Sequence, residues 1–389
     1  MHVLIIPTSY PNIYNQHSGI FFRDQAEALA KHGHKVGVLA ILPITIQMIL
    51  KKKRVDFGLK IFIEENVCTY LFQFPVMPKS QKFQQLLRKW MGLILYKKYQ
   101  KSNEKPDILH VHTYRAATTA INICTKYNIK YIITEHSSIF NIKFMKRFDD
   151  KIAQIAFSSS SLNIAVSEEF CKNLKLRYKK EFLYIPNVVD TNYFQPVLIN
   201  KKNNCVNLLN IANLISQKNQ IMLIKVFSKI KNRYPNAYLY IGGNGPERKN
   251  IENTILKYNL TESVFLLGNL KRDEVLEQMQ KCDIFILPSI SETFGVVLIE
   301  AMSCGKPVVT TKSGGPESII VNSELGELVN NNEYDLYNGI NKAVENIRNF
   351  DSLKIRNHVI NNYSQKIIVE KLTNVYAEVN KSNNVNSYK

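Results

Sequence analysis

The chain has 389 residues, of which 45% are hydrophobic and 21% are charged. This length exceeds one ordinary hydrophobic core and suits two domains of about 190 residues each, while the composition is globular and excludes a disordered or fibrous protein. The formal net charge of +19 is uneven, because residues 1–190 carry +14 and residues 191–389 carry +5. The first half therefore suits an anionic partner.

The sequence contains no pattern typical of a signal peptide or a membrane span. The N-terminus MHVLIIPTSY has no basic leader before its apolar run, which Pro7 interrupts, so we interpret it as a first strand. The longest apolar stretch, residues 36–50, includes Pro43 and polar residues and is shorter than the ~20 residues that span a bilayer. We expect a cytoplasmic chain whose six scattered cysteines are reduced.

In the first half, strand patterns alternate with helix patterns. In chain order these are HVLIIPT, helix FFRDQAEALAKHG, KVGVLAI, DILHVHT, helix RAATTAINICTKYN, YIITEHS, LNIAVS, helix EEFCKNLKLRYK and FLYIPN. Such alternation predicts parallel strands joined by crossover helices in an open, doubly wound sheet. The pattern lapses in the polar stretch NVVDTNYFQPVLINKKNN, where we predict a linker at residues 191–204.

The second half restarts the same alternation. Its elements are VNLLNIAN, helix QIMLIKVFSKIKNRY, AYLYIGG, helix RKNIENTILKYN, VFLLGN, helix RDEVLEQMQKC, DIFILPS, helix VVLIEAMSCG and KPVVTT. We therefore predict two facing, doubly wound, Rossmann-like α/β domains, residues 1–190 and 205–365. Because such sheets bind ligands beyond the carboxyl ends of their strands, the expected site is the cleft between the domains.

Several reactive residues directly follow predicted strands. In the first domain Gly19 follows HVLIIPT across a loop, His112 ends DILHVHT, and His136 ends YIITEHS. In the second domain Lys218 follows NLLNIAN and Glu292 follows DIFILPS. The carboxyl edges of the two sheets are the expected ligand-binding edges, so we predict that these residues converge on one cleft.

Two glutamates flank a predicted helix start in SETFGVVLIEAMSCG. The free amides of Gly295, Val296 and Val297 would form a positive helix end that suits a phosphate. Glu300 lies ~7.5 Å further along the helix, and Glu292 lies in the preceding loop. Since a carboxylate can accept both protons of a vicinal diol, this pattern fits a nucleoside diphosphate sugar. A plainer interpretation is one first-turn glutamate and one solvated helix glutamate.

The segment SETFGVVLIEAMSCGKPVVTTKSGGPESII resembles the C-terminal signature of retaining glycosyltransferases of family 4, with its E-x7-E motif, Gly-Pro-Val strand and Gly-Gly turn. Further resemblances lie in IPNVVDTNYFQP, LLNIANLISQKNQIMLIKVF, LYIGGNGPERKNIE, HSGIFFRDQAEALAKHGHKV, PDILHVHTY and ITEHSS. Together they cover about residues 1 to 320. The family fold is GT-B, which implies an acceptor side in the first domain and a donor side in the second. It also implies that SQKIIVEKLTNVYAEVN, within residues 366–389, returns to the first domain; we expect the tail KSNNVNSYK to be disordered.

The resemblance implies roles for the residues of the second domain. Glu300 would hold the ribose hydroxyls, Glu292 would contact the transferred sugar, and the amides after Phe294 would meet the diphosphate and the sugar. Lys218 would neutralise the departing diphosphate. Members often carry arginine where this chain has Asn213, so Lys218 would provide more of the leaving-group stabilisation.

In the first domain the resemblance implies that Gly19 brings a bare backbone amide to the diphosphate and that His136 faces the sugar. A single histidine at a strand end is also typical of a hydrogen-bonded structural residue, but with the family resemblance we favour the catalytic role. His110 and His112 alternate on one strand and point to the same face, where we favour simple packing.

Two patterns argue against other phosphate and metal sites. The turn GGNGPER lacks both the Gly-Lys-Ser/Thr ending of a P-loop and the full dinucleotide spacing, so we interpret it as a tight turn beside the donor. No Asp-x-Asp occurs in the sequence, which leaves a metal-dependent donor site of that kind without a candidate. We expect neither a metal nor a cofactor.

The segment QKFQQLLRKWMGLILYKKYQK predicts a basic amphipathic helix. Its apolar residues fall on one face at three- and four-residue spacing, namely Phe83, Leu86, Leu87, Trp90, Met91 and Ile94. We favour a helix that covers the sheet with this face. The alternative is docking on an anionic membrane leaflet, which the upstream run Lys51–Arg54 supports.

Together with the family resemblance, these patterns predict a retaining, metal-independent, hexosyltransferase-type glycosyltransferase. It would move a sugar from a nucleoside diphosphate sugar, with a UDP-sugar favoured, to a hydroxyl of a glycan or lipid-linked glycan in cell-surface polysaccharide biosynthesis, at the inner face of the membrane. Three alternatives remain: a nucleotide-sugar epimerase of the same fold, a non-catalytic partner of a glycosyltransferase, and a nucleic-acid-binding protein. We expect no nucleic-acid partner, since no known binding module is present.

Overall fold

The structure is a computed structural model that describes residues 1–16, 18–52, 56–76, 81–141, 145–197 and 205–381, with no side chains described at positions 51, 52 and 81. Three predictions lie wholly or partly outside these residues. They are the disordered tail 381–389, of which 382–389 lie outside, the linker 191–204, of which 198–204 lie outside, and the basic run 51–54, of which 53 and 54 lie outside. The chain divides into two compact units, Met1–Val188 with Gln365–Lys389, and Val189–Ser364.

The secondary structure alternates along both units. The strands are β1 His2–Pro7, β2 Lys35–Thr45, β3 Gly58–Glu64, β4 Val67–Val76, β5 Ile108–His112, β6 Tyr131–Glu135, β7 Leu162–Ala165, β8 Leu183–Tyr184, β9 Val206–Ile211, β10 Ala237–Gly242, β11 Val264–Gly268, β12 Ile284–Leu287, β13 Val308–Thr311 and β14 Gly326–Val329. The helices are α1 Ile20–Lys31, α2 Ile46–Lys52, α3 Gln81–Gln100, α4 Tyr114–Tyr127, α5 Arg147–Ser159, α6 Glu168–Tyr178, α7 Gln220–Arg233, α8 Arg248–Lys257, α9 Arg272–Lys281, α10 Val296–Ser303, α11 Glu333–Glu345, α12 Ser352–Tyr363 and α13 Gln365–Lys381.

The first unit is built on an eight-stranded sheet of order β3-β4-β2-β1-β5-β6-β7-β8. Its strands pair in parallel except β3, which runs antiparallel to β4. The central strand β1 is buried along its whole length, as expected for a parallel strand that helices cover on both faces. Helix α13 packs into the same core through Ile368, Leu372 and Tyr376.

The second unit has a six-stranded parallel sheet of order β11-β10-β9-β12-β13-β14. The order reverses direction between β9 and β12, and ligands of such sheets bind at this switch point. Leu208, Leu239 and Ile284 from the sheet form a core with Leu223 and Phe227 of α7. The carboxyl ends of β9 and β12 therefore mark the expected site.

Some elements have no counterpart in the sequence prediction. They are the β3–β4 hairpin and α2, α5, α11, α12 and β14. The hairpin turns at Glu65 and Asn66, both with positive φ, of +47° and +62°. Asn-Gly or Asp-Gly is the usual signal for such a turn, and Glu-Asn is a weak one, so the hairpin is hard to see in the sequence.

The favoured interpretation of α3 is wrong about which face covers the sheet. The helix packs through Leu95, Tyr96 and Tyr99, which are 0 to 2% exposed. Phe83 and Trp90, predicted to face the sheet, are 56% and 62% exposed. The two tyrosines lie opposite the more hydrophobic stripe, and their size and location against β2 and α4 decide the packing.

Candidate active site

Helix α10 begins directly after the loop that carries Glu292. Its N-cap is Gly295, whose φ of +105° lies in the left-handed region that glycine adopts without steric cost. As a glycine, this N-cap residue has no side chain with which to cap the helix. The first-turn amides, including those of Val296 and Val297, thus form the positive helix end that was predicted to suit a phosphate.

Lys218 and Glu292 come together in the second unit. The Lys218 ammonium forms an ion pair and hydrogen bond with Glu292 Oε1, and Ser289 Oγ donates to the same oxygen at 2.7 Å. The side chain of Glu292 is 11% exposed, and that of Lys218 is 20% exposed. Such a shielded pair is stronger than a surface salt bridge, and an incoming anion can compete for the lysine.

Hydrogen bonds connect the loops that present this pair. Gln217 Nε2 donates to the Ser291 carbonyl at 2.7 Å, and the Ile290 amide donates to the Gln217 carbonyl at 2.8 Å. The Glu292 amide in turn donates to the Ser313 carbonyl at 2.9 Å. The loops after β9, β12 and β13 therefore form one connected layer at the carboxyl edge of the sheet.

Phe294 lies in this layer with its side chain buried. The ring is 1% exposed and packs edge-on against Tyr363, with 5.7 Å between centroids. A Cβ on Gly315 would lie 2.4 Å from the Phe294 amide nitrogen, so the Gly-Gly turn closes tightly on the backbone here. The Phe294 side chain thus fixes the loop, while its backbone leads into the first turn of α10.

Glu300 lies on α10 beside a cluster that the sequence interpretation did not identify. Tyr193 donates a hydrogen bond to Asp273, and the Arg272 guanidinium lies 4.9 Å from the centre of the Tyr193 ring. Burial, the Asp273 carboxylate and the charge of Glu300 raise the pKa of Tyr193 to about 12, against the opposing effect of Arg272. Arg272 follows β11 at the carboxyl edge, so the strand-end criterion could have found it.

In the first unit, three histidines form a cluster at the carboxyl ends of β5 and β6. The rings of His110 and His112 stack with centroids 4.4 Å apart, as the predicted shared face requires. His112 Nδ1 and His136 Nε2 are hydrogen-bonded at 3.0 Å. His110 is hydrogen-bonded to Thr134 Oγ1 at 2.8 Å and to the Tyr376 hydroxyl of α13 at 2.7 Å. His112 is thus a hydrogen-bonding partner of His136, which simple packing would not provide.

Burial keeps this cluster uncharged. It lowers the pKa of His110 and of His136 to about 3, with a hydrogen bond to Asn187 opposing the effect at His136. The pKa of His112 is lowered further, by burial and by the two neighbouring histidines. In this structure His136 is therefore a neutral imidazole that can donate or accept a hydrogen bond but supplies no positive charge.

Gly19 lies at the start of α1, whose aromatic residues contact the histidines. Its φ is +69°, and a Cβ there would lie 2.4 Å from the Ser9 carbonyl oxygen, so only glycine fits. The Phe22 ring lies 4.8 Å from that of His112, and the Phe21 ring lies 5.1 Å from that of His136. The first unit thus brings Gly19 and His136 into one region, as the second does for Lys218 and Glu292.

Two family models match this chain. Residues 18–193 match "Glycosyltransferase Family 4", and residues 190–366 match "Glycosyl transferases group 1". An uncharacterized glycosyltransferase of Methanocaldococcus jannaschii is 30% identical over 249 residues, which are 63% of this chain and 67% of that protein. The chain belongs to this glycosyltransferase family.

Other relatives of this chain are named as components of phosphatidylinositol N-acetylglucosaminyltransferase. The component from Arabidopsis thaliana is 26% identical, over 72% of this chain and 64% of that protein. The component from Homo sapiens is 27% identical, over 71% of this chain and 58% of that protein. The chain thus spans about three fifths of the length of these curated relatives.

Solved structures share the fold across the whole chain. Sucrose-phosphate synthase from Thermosynechococcus elongatus has a TM-score of 0.79 at 17% identity, covering 98% of this chain and 99% of that one. Anabaena HepE, solved with UDP-glucose, has a TM-score of 0.73 at 17% identity, covering 97% and 99%. The predicted fold class, two doubly wound Rossmann-like domains of the GT-B type, is confirmed.

Proposed function

We propose that this glycosyltransferase is a retaining enzyme that moves a sugar from a UDP-sugar to a hydroxyl of a glycan or lipid-linked glycan. The observation that carries the proposal is the Lys218–Glu292 pair in the loops before the N-terminus of α10, whose N-cap is Gly295. A cation, a carboxylate and free helix amides at one sheet edge match the parts of a nucleoside diphosphate sugar, which are an anionic diphosphate and hydroxyl-bearing rings.

The donor diphosphate would lie at the amides of Val296 and Val297, with Glu300 on the ribose hydroxyls and Glu292 on the transferred sugar. Lys218 would exchange part of its contact with Glu292 for the diphosphate. In the first domain, the bare backbone at Gly19 would approach the diphosphate, and neutral His136 would hydrogen-bond to the sugar. The UDP-bound state of the structural relative HepE supports the choice of uridine.

The reaction would be a same-face substitution. The bond between the anomeric carbon and the leaving phosphate oxygen breaks and its electron pair stays on the diphosphate, while the acceptor oxygen bonds to the same face of that carbon. The acceptor proton passes to the departing phosphate oxygen. The chain would contribute positioning, together with charge stabilisation by Lys218 and the helix amides. The absence of an Asp-x-Asp sequence is the reason to propose a metal-independent donor site.

The acceptor would be a growing glycan, and a lipid-linked one fits two observations. Residues 1–190 carry a net charge of +14, which suits an anionic membrane surface. Relatives named phosphatidylinositol N-acetylglucosaminyltransferase act, by that name, on a lipid. We therefore place the enzyme in cell-surface polysaccharide biosynthesis, at the inner face of the membrane.

A thermal-shift panel of UDP, GDP, ADP and their sugars tests the donor. A ligand at a hundred times its Kd stabilises the folded protein by about 2.7 kcal/mol, which raises the Tm of a domain of this size by several degrees, at about 2–4 °C per kcal/mol. We expect this shift with UDP and UDP-sugars. No shift with any nucleotide would overturn the proposal, and an epimerised sugar nucleotide formed without acceptor would favour the epimerase.

A further inference from the structure

The outer face of α3 carries an uncovered apolar stripe. Phe83, Leu86, Trp90 and Ile94 are 56%, 65%, 62% and 41% exposed. At 3.6 residues per turn, spacings of three, seven and eleven residues place all four on one side of the helix. In the part of the chain that the structure describes, no helix is long and apolar enough to cross a bilayer, so this stripe is not part of a membrane span.

The inner face of α3 is already engaged, so the helix cannot rotate to bury the stripe. Gly92 faces α4 so closely that a Cβ on it would lie 2.4 Å from Thr119 Cγ2. Thr118 Oγ1 donates to Gln85 Oε1 at 2.8 Å, and Asn122 Nδ2 donates to the Lys89 carbonyl at 3.2 Å. The stripe is therefore a surface fixed to face away from its own unit.

The charge on the segment that carries the stripe is of one sign. Lys82, Lys89, Lys97 and Lys98 are exposed on the same helix, and the sequence from residue 66 to residue 103 contains no aspartate or glutamate. Two copies of this face in contact would bring their lysines together, and like charges repel. The charge pattern thus favours an anionic occupant over a second copy of the chain.

A second helix extends the apolar surface at the same sheet edge. Thr45 pairs with Val76 in the register of β2 and β4, α2 follows Thr45 directly, and α3 starts five residues after Val76. In α2, Ile46 is 47% exposed and Leu50 is 69% exposed. Both helices therefore begin near one edge and present apolar side chains to the solvent there.

We propose that this α3 face docks on an anionic lipid bilayer. Trp90 and the three other apolar side chains would enter the boundary between headgroups and acyl chains, and the lysines would contact anionic headgroups. An apolar face with a cationic border is the pattern of helices that lie in a membrane interface. The inference names the membrane partner of the proposed function, and its test does not depend on the donor site.

The single tryptophan of the chain is Trp90, so intrinsic tryptophan fluorescence reports on this face alone. The full chain is mixed with phosphatidylcholine vesicles or with vesicles in which about one third of the lipid is phosphatidylglycerol. We expect a blue shift of Trp90 emission, quenching by brominated acyl chains and co-sedimentation with the anionic vesicles only. Higher salt should weaken the binding, because exposed charges are screened.

Matched variants distinguish binding through the α3 face from nonspecific binding of the protein to vesicles. Leu86→Ser should lower vesicle affinity about tenfold, whereas Leu176→Ser on α6, where the leucine is 68% exposed, should leave it unchanged. Lys89→Ala should lower it about fivefold, and Lys172→Ala on α6, where the side chain is 69% exposed, should not.

Three results would overturn the inference. They are no binding to either vesicle, equal binding to both vesicles, and a lipid-free blue shift that grows with protein concentration as larger species form. The last would mean that a second copy covers the stripe. A nucleotide thermal shift that persists in any of these cases would leave the proposed function standing, so the two failures can be told apart.

Discussion

The two candidate regions hold their polar groups in opposite ways. In the second unit, Lys218 and Glu292 form an ion pair at the carboxyl edge of the sheet. In the first unit, His110, His112 and His136 are packed among aromatic rings and stay neutral because burial disfavours their charged forms. Under the proposed function, this difference predicts a division of labour, in which the second unit would bind the charged diphosphate and the first would orient neutral hydroxyl-bearing groups.

The hydrogen bonds of the backbone also differ between the two regions. Around Glu292, loop-to-loop hydrogen bonds and the tight Gly-Gly turn fix the backbone that leads into α10. Beside the histidines, the Glu135 carboxylate accepts hydrogen bonds from the amides of Tyr114, His136 and Ser137 at 2.8 to 3.0 Å. The first unit thus uses its buried carboxylate to fix a strand end, whereas the Glu292 carboxylate of the second unit pairs with the Lys218 ammonium.

The largest effect, on turnover, is expected from a substitution of Glu292 in the charged region of the second unit. Glu292→Gln keeps the size of the side chain but removes the charge that pairs with Lys218 and the strong acceptor for a sugar hydroxyl. We expect turnover with a UDP-sugar to fall by about 10²–10³-fold, with little change in UDP affinity. UDP release in a coupled assay measures the first, and the thermal shift with UDP measures the second. Full turnover in this variant would remove Glu292 from the reaction.

Because the three histidines of the first unit are neutral in the folded protein, we predict that the free energy of unfolding decreases in acid. Between pH 6.5 and pH 5 the three histidines take up protons in the unfolded chain but not in the folded one, so stability is lost as the pH falls. Glu135 opposes this, because burial raises the pKa of its carboxyl to about 7 and the folded state holds that proton. The net difference, which averages about 1.5 protons over this range, corresponds to about 2 kcal/mol per pH unit.

Urea unfolding at pH 7, 6 and 5 measures this slope. Glu135→Gln should make it steeper by removing the opposing proton, and His110→Asn should make it shallower by about one proton. A free energy of unfolding that does not change between pH 7 and pH 5 would mean that the histidines are charged in the folded protein.

The sequence was sufficient for the parts of the fold that depend on alternating patterns. Both doubly wound sheets were predicted, since buried strands and amphipathic helices leave a strong periodic signal. The β3–β4 hairpin was missed because Glu65 and Asn66 are a weak turn signal. The packing face of α3 was predicted wrongly, because hydrophobicity alone does not show that Tyr96 and Tyr99 fill the space beside β2.

The residues of the candidate site could be predicted where the local backbone conformation requires a particular residue type. Gly19 and Gly295 both have positive φ, which only a residue without a side chain adopts easily. The Lys218–Glu292 ion pair joins residues 74 positions apart, and no pattern within either segment reports it. The hydrogen bond between His112 and His136 likewise depends on the register of β5 against β6.

A smaller effect, on UDP affinity, tests the proposed role of Glu300 in the second unit. Glu300→Ala should weaken UDP binding about 10- to 100-fold, because hydrogen bonds to a charged group contribute about 1.5–3 kcal/mol. Glu252→Ala on α8, where the glutamate side chain is 46% exposed, is the control and should leave UDP affinity unchanged. Isothermal calorimetry with UDP measures both. If the two variants bind equally, the ribose is held elsewhere.

The smallest effect concerns His112, which we expect to be a positioning residue. His112→Phe keeps a ring that can stack on His110 but removes the hydrogen bond to His136, which loses one of the contacts that orient its ring. We expect kcat to fall about tenfold while UDP affinity is unchanged, since the donor contacts of the second unit are intact. His112→Asn, which retains a hydrogen-bonding group at this position, should restore part of the rate. If both variants turn over at the rate of the parent protein, the histidine cluster serves only the packing of α13 and β5. The second unit would then contain the active residues, and the histidines of the first unit would be structural.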